Sequence, residues 1–427
     1  MITKQRAVRW IAAGIVAAAA MGVTGCSGPG GSDADGGGKT TVTVWHGFTE
    51  ADGKVVAAIA DEFNASQEDY VVKLEVNPWN VITDKLLPAV SSGNGPDLVV
   101  QTPEAGQGYV NQGVFVSLQE FYDDAEYEAD TYYPNVVDAV TFDEQTYGVP
   151  MGYAPFAVWY NKAMFDAAGI TEFPATWEAW IELAEQLTVD ENGDGNPEVY
   201  GLSLADKTPT FLPTWLEGAG GHVYDDGEVV LDTAENVAAL QWWRDAYARN
   251  WGPKDITLAE SVDVFKAGKA AMTLIGPWMI GIADSVDMEV GVFELPSGPE
   301  KVAADAAANY WWLTSQAGDA EAQGAMEFLA HFNSHDSQVT WALEANYPPN
   351  RTDISAEELA ENPFVADMLP FTENTFVRLG GLPGGATDVN AELDTLSVHI
   401  TQGTGGDVAT LVADADRSLT EILAEFE

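Results

Sequence analysis

Asp190, Asn192 and Asp194 stand at alternate positions ahead of Gly195, in a run that Glu198 closes. Oxygen ligands repeated at every second residue around a glycine turn are what a calcium ion needs. An EF-hand would carry a glutamate where Gly201 stands, so the run reads either as a structural calcium loop between a helix and a strand or as a solvated acidic turn. His331 and His335 are four residues apart, a spacing that can seat a metal on one helix face. No glutamate lies between them, and a peripheral helix without metal is the plainer reading. Nucleophilic chemistry finds no motif. The chain has no G-x-S-x-G, no H-E-x-x-H and no phosphate-cradling glycine loop, and its one cysteine is Cys26. With 67 Asp and Glu, paired carboxylates occur by chance, so none counts as catalytic without geometry. No enzyme activity is expected, and no cofactor beyond the calcium.

The ends of the chain and its charge narrow the setting. Lys4, Arg6 and Arg9 precede an apolar run from Trp10 to Val23, which ends on Thr24, Gly25 and Cys26. A basic start, a short apolar stretch and small residues at a cleavage point make residues 1–25 an export signal. The run is shorter than the roughly 20 residues of a membrane-spanning helix. Residues 26–40 are rich in Gly, Ser and Asp and read as a flexible tether. A formal charge of −49 excludes nucleic acid as a partner and excludes electrostatic adhesion to anionic lipid. At 427 residues, 46% of them apolar and 14 of them tryptophan, the chain can bury two cores of ordinary size without disulfides.

The elements that must position any site follow in order. Residues 41–45 alternate as a strand, and Val55, Val56, Ile59 and Phe63 recur at helical spacing. A second strand at 70–76, a helix at 81–90 and a buried strand at 98–100 complete a strand–helix–strand–helix–strand order. That order predicts a parallel sheet covered by helices. Ligands of such sheets sit beyond the carboxyl ends of the strands, here residues 45–49, 77–79 and 101–104. Phe48, Thr49, Gln101 and Glu104 fall there, as does Trp79, an exposed ring after Pro78. A second α/β region begins near Gly148. Its helix from Thr176 carries Trp177, Trp180, Ile181, Ala184 and Leu187 on one face, and another carries Val237, Leu240, Trp243 and Tyr247, so these tryptophans read as core. Residues 272–275 are a strand stopped by Gly276-Pro277, residues 320–345 a helix, and 407–426 the last helix.

Several segments resemble the extracellular solute-binding proteins of ABC importers, in the branch that includes maltose- and glycerol-3-phosphate-binding proteins. They are VTVWHGFTEADGKVVAAIADEFNAS, SSGNGPDLVVQTPEAGQGYVNQGVFVSL and YGVPMGYAPFAVWYNKAMFDAAGI, then PATWEAWIELAEQL, VFKAGKAAMTLIGPWMIG and NYPPNR. Their order holds from Thr41 to the C-terminus. The resemblance implies a two-lobed periplasmic-binding-protein-like α/β fold of type II, each lobe a mostly parallel sheet flanked by helices. It implies discontinuous lobes, 41–152 with 275–346 and 153–274 with 347–427, closing by a hinge on a solute. Cys26 resembles the lipidated cysteine of bacterial lipoproteins, with Val23 in place of the usual leucine. It implies a lipid anchor on the outer face of the cell membrane, with the ABC permease as partner and the receptor a monomer.

Sugars offer apolar C–H faces and a rim of hydroxyls, so aromatic rings and planar polar groups recognise them. By resemblance, Trp278 lies at a sugar-stacking position, and Gln101, Thr102 and Glu104 at a strand end that contacts ligand, with Gln101-Thr102 replacing an aromatic. Asn309 and Trp311 fall on a strand beside the ligand, Trp311 favoured over Trp312. Tyr153, Phe211, Trp215 and Tyr347 are the aromatic candidates of the second lobe. Arg378, before Leu379, Gly380 and Gly381, resembles a ligand-contacting arginine of glycerol-3-phosphate binders, with a buried ion pair as the equal alternative. The expected function is capture of an extracellular sugar or oligosaccharide, or of an anionic solute at Arg378. An exported carbohydrate-active enzyme and a surface adhesin are the remaining classes.

Overall fold

A computed structural model describes residues 38–426 apart from 50 and 226. The leader and Cys26 lie outside the described residues. Ten strands build its two larger sheets: β1 (Thr40–His46), β2 (Tyr70–Val76), β3 (Leu98–Gln101), β4 (Gly148–Pro155), β5 (Ala157–Asn161), β6 (Tyr200–Ser203), β7 (Ala270–Ile275), β8 (Val290–Phe293), β9 (Ala304–Leu313) and β10 (Thr375–Phe376). The first sheet runs β10-β9-β3-β1-β2, with β4 also paired to β9. β1 pairs in parallel with both β2 and β3, Val44 lying opposite Leu74 and Leu98. The second sheet runs β8-β5-β7-β6. There β5 is antiparallel to β7 and β8, while β6 and β7 are parallel.

Alternation puts Val42 and Val44 of β1 in the core, and helix Ala51–Ser66 buries Val55, Val56, Ile59, Ala60 and Phe63 with them. Helix Trp177–Leu187 starts at Thr176, whose side chain accepts from the Ala179 N–H. It buries Trp177, Trp180, Ile181, Ala184 and Leu187 in the core under the second sheet. The expected helix over 320–345 is two, Asp319–Phe332 and His335–Ala345. Ser334 ends the first by capping the second, its side chain accepting from the Ser337 N–H. A capping serine outcompetes continuous helix at such a break. No helix among the described residues is long and apolar enough to cross a membrane.

The chain changes sheets twice, between Pro155 and Phe156 and between β8 and β9, and crosses a third time after β10, where it leads to helices Ala386–Gln402 and Val408–Leu423 packed in the core under the second sheet. The expected return to the first lobe at 275 comes instead at Ala304. β8 pairs with β5, and helix Met279–Ser285 buries Met279, Ile280 and Ala283 beside Ala157 and Trp159. Segment 276–303 therefore belongs with the second sheet.

Candidate ligand-binding cleft

The carboxyl ends of β1 and β3 open on a cavity of about 490 Å³. Gly47, Phe48 and Thr49 line it after β1, and Asp52 from the first turn of helix Ala51–Ser66. Helix Trp79–Ser91 contributes Trp79, Asn80 and Thr83, and the end of β3 contributes Gln101 and Thr102. Ala307 and Asn309 reach it from β9, Trp278 from the turn after β7, and Tyr347 from beyond helix His335–Ala345. Six of these elements come from the first sheet and its helices. The second sheet supplies one indole.

The aromatic lining is braced. Phe48 is buried and meets Trp79 at 5.0 Å with the rings perpendicular. Trp341 packs against Phe48 on one side and stacks on Tyr347 at 5.2 Å on the other. Trp278 meets the buried Phe156 at 5.6 Å, again perpendicular. Gln101 is fixed by its own Nε2, which donates to Thr83 Oγ1 at 3.3 Å, and by the Thr102 N–H that its Oε1 accepts. The amides of Asn80 and Asn309 make no hydrogen bond to any described residue, so their donors and acceptors are open to a ligand. Behind Phe48, His46 is buried with neither ring nitrogen partnered, and burial holds its pKa below the ordinary imidazole value.

Asp52 is the one charged side chain among the described lining residues; no Lys, Arg or His lines the cavity. Arg378 is engaged elsewhere. Its Nη1 lies 2.7 Å from Asp305 Oδ2 and its Nη2 lies 3.0 Å from Glu104 Oε1. This triad stands where the chain changes sheets, since the Asp305 carbonyl also accepts from the Phe156 N–H.

The structure thus brings together Phe48, Thr49, Trp79, Gln101, Trp278, Asn309 and Tyr347 of the residues expected at a site, with Thr102 beside them. The others lie elsewhere. Glu104 and Arg378 are each other's ion partners. Tyr153 is wholly buried on β4, every residue of which is buried. Phe211 packs perpendicular to Phe156, and Trp215 lies against Trp243 in the core of the second sheet. Trp311 packs on Phe328 and Phe332, while its neighbour Trp312 stacks on Phe115 and donates Nε1 to the Gln101 carbonyl. Both faces of β9 are covered there, and its cleft position is Asn309. Gly381 lies apart, in a groove with Asn135 and Thr375.

Asp52, Asn80, Thr83 and Ala307 were not expected. Thr83 follows Trp79 by one helical turn, and that spacing would have found it.

In the 190–198 loop, Asp190 accepts from the N–H groups of Gly193 and Gly195, Asn192 from that of Asp194, and Glu198 from Glu191 N–H and Asn192 Nδ2. These hydrogen bonds within the loop hold the turn. Among the described residues no group of three or more His, Cys, Asp or Glu is placed to hold a metal. His335 lies 3.2 Å from Glu358, and His331 packs on Phe63.

Two sheets with separate cores, joined by three crossings and parted by a solvent-open cleft at their strand ends, define a type II periplasmic-binding-protein-like fold. Residues 58–367 match the model of the bacterial extracellular solute-binding proteins. The chain belongs to that family, whose members are binding proteins rather than enzymes. It is 24% identical over 262 residues to a maltotriose-binding protein of Pyrococcus abyssi, covering 61% of this chain and 54% of that one. It is 23% identical over 398 residues to an sn-glycerol-3-phosphate-binding periplasmic protein of Brucella melitensis, covering 84% and 88%. The chain spans 62% of the length of putative binding proteins of other Brucella strains. Its fold superposes on the cyclic alpha-maltosyl-1,6-maltose binding protein of Arthrobacter globiformis with a TM-score of 0.79 at 20% identity, covering 91% of this chain and all of that one.

Proposed function

We propose that this protein is a receptor that captures a neutral sugar or oligosaccharide in the cleft and delivers it to an ABC permease. One observation carries the reading: two indoles, Trp79 and Trp278, and the open amides of Asn80 and Asn309 line a cavity that holds no cation among its described residues. Rings and amides suit C–H faces and hydroxyls. A phosphate would need a positive partner, and Arg378 is already held by Asp305 and Glu104. The names of the Pyrococcus and Arthrobacter proteins agree with a carbohydrate, and that of the Brucella melitensis protein keeps glycerol phosphate as the contrasting test. The three crossings act as the hinge. A sugar touching Trp79 on one lobe and Trp278 on the other favours the closed form by the free energy of the contacts it makes only there.

Melting curves test the ligand class. A solute that binds only the folded state adds about 2.7 kcal/mol of stability at a hundredfold excess over its Kd. Maltotriose or maltotetraose is expected to raise the melting temperature, and sn-glycerol-3-phosphate to leave it unchanged. A rise with glycerol phosphate alone would reverse the assignment.

The anchor is tested separately. With lipid on Cys26, the protein sediments with membranes and partitions into detergent. Cys26→Ala is expected to move it to the soluble exported fraction, and unchanged partitioning would disprove the anchor.

A further inference from the structure

The two cleft indoles are built in the same way from unrelated parts of the chain. A Cβ on Gly47 would fall 2.3 Å, 2.4 Å and 2.8 Å from Cδ2, Cε2 and Cε3 of Trp79. A Cβ on Gly276 would fall 2.2 Å, 2.4 Å and 2.8 Å from Cζ3, Cη2 and Cε3 of Trp278. Three consecutive ring atoms at such distances mean that each benzo ring lies across the glycine backbone. No side chain fits between, since real Cβ atoms do not approach this closely. Each indole also has one phenyl ring set perpendicular to it, Phe48 for Trp79 and Phe156 for Trp278. Gly47 directly follows β1 and Gly276 directly follows β7, so each cradle sits at a strand end of a different sheet. Neither glycine has the positive φ that would by itself call for glycine.

Core packing alone does not account for the pair. Gly106 likewise underlies Trp312, but that ring is wholly buried. Trp79 is 37% exposed and Trp278 half-buried, so in the cleft the glycine covers one face of a ring whose remainder borders the cavity.

The geometry points to Gly47 and Gly276 as positioning residues of the ligand site: each holds its indole flat on the backbone, so that a sugar meets a platform already in place on either lobe. Preorganisation of this kind removes the ordering cost of a ring that would otherwise adopt several rotamers. The inference rests on the carbohydrate reading only for what the platforms receive. Their construction is independent of it.

Fluorine NMR of 5-fluorotryptophan-labelled protein separates the two. The signals of Trp79 and Trp278 are assigned by their loss in Trp79→Phe and Trp278→Phe. Gly47→Ala is expected to move the Trp79 signal and spare that of Trp278, and Gly276→Ala the reverse. Signals that stay in place in both variants overturn the proposal, whatever the ligand. With maltotriose as probe, Gly47→Ala is expected to weaken binding about tenfold. In a Trp79→Ala background the same substitution is expected to change neither affinity nor melting temperature, because the three atoms nearest the new methyl group are then gone. An equal penalty in both backgrounds would show that Gly47 acts by another route. If wild-type protein ignores maltotriose, the sugar reading fails while the NMR result still decides the cradles.

Discussion

Trp79→Ala and Trp278→Ala are each expected to weaken maltotriose binding about thirtyfold, a loss of about 2 kcal/mol. Both rings line the same cavity from different sheets, and each is held in place on one side by glycine backbone and a perpendicular phenyl ring. Truncation removes apolar contact area and leaves the ligand's C–H face to water. The two variants should differ in stability. Trp79 is the more exposed and packs on Gly47 and Phe48, so its loss costs little. Trp278 also touches the cores beneath both sheets, so its loss lowers the melting temperature as well. Trp215→Ala supplies the contrast. That ring is buried against Trp243, 3.9 Å between centroids, and its removal is expected to cost about 3–5 kcal/mol of stability while the folded fraction keeps its affinity. Calorimetric titration at a temperature where all three are folded separates the outcomes. Unchanged affinity in both Trp79→Ala and Trp278→Ala would mean that the sugar, if bound, lies elsewhere.

How far the site could be read in advance depended on the kind of order that fixed each residue. Phe48, Thr49, Trp79 and Gln101 were legible because alternating strands and helices determine which ends of a parallel sheet face a ligand. Trp177, Trp180 and Trp243 were legible as core because helical spacing places each on the apolar stripe of its own helix. Trp311 was not. Strand alternation separates Trp311 from Trp312, but it cannot tell that helix Asp319–Phe332 covers one face while Phe115 covers the other. Tyr153 misled for a similar reason, since a strand buried on both faces offers no periodicity to mark an inward ring. The lobe boundary at 275 was misplaced because Gly276-Pro277 stops a strand without ending a lobe, and the pairing of β8 with β5 is a long-range contact. Arg378 was open between ligand and ion pair, and only the fold brings Glu104 and Asp305 to it.

Breaking that ion triad is expected to cost as much stability as removing Trp215. Arg378→Ala leaves Asp305, 1% exposed, and Glu104 together without their cation, and removal of one partner from a buried pair costs about 3–5 kcal/mol. Asp305→Asn should cost less, because Arg378 keeps Glu104 and the amide oxygen still accepts. The two variants also differ in pH dependence. Burial pushes the Asp305 carboxyl from 3.8 to about 6, against the pull of Arg378 and with the help of Glu104. Between those values the folded protein holds a proton that the unfolded chain has released. This contribution to stability therefore falls as pH rises from about 4 to about 6 and is level above that, a change of roughly 3 kcal/mol. Asp305→Asn is expected to abolish that fall. Arg378→Ala, which removes the neighbouring positive charge, is expected to carry it to higher pH. Urea unfolding of the three proteins from pH 4.5 to 8 measures all of this, and an unaltered slope in Asp305→Asn would show that another group titrates. Because the triad joins the segment after β3, the start of β9 and the segment after β10, its loss is expected to loosen the crossings proposed as the hinge. Arg378→Ala is therefore also expected to bind maltotriose more weakly, without any contact between Arg378 and the sugar.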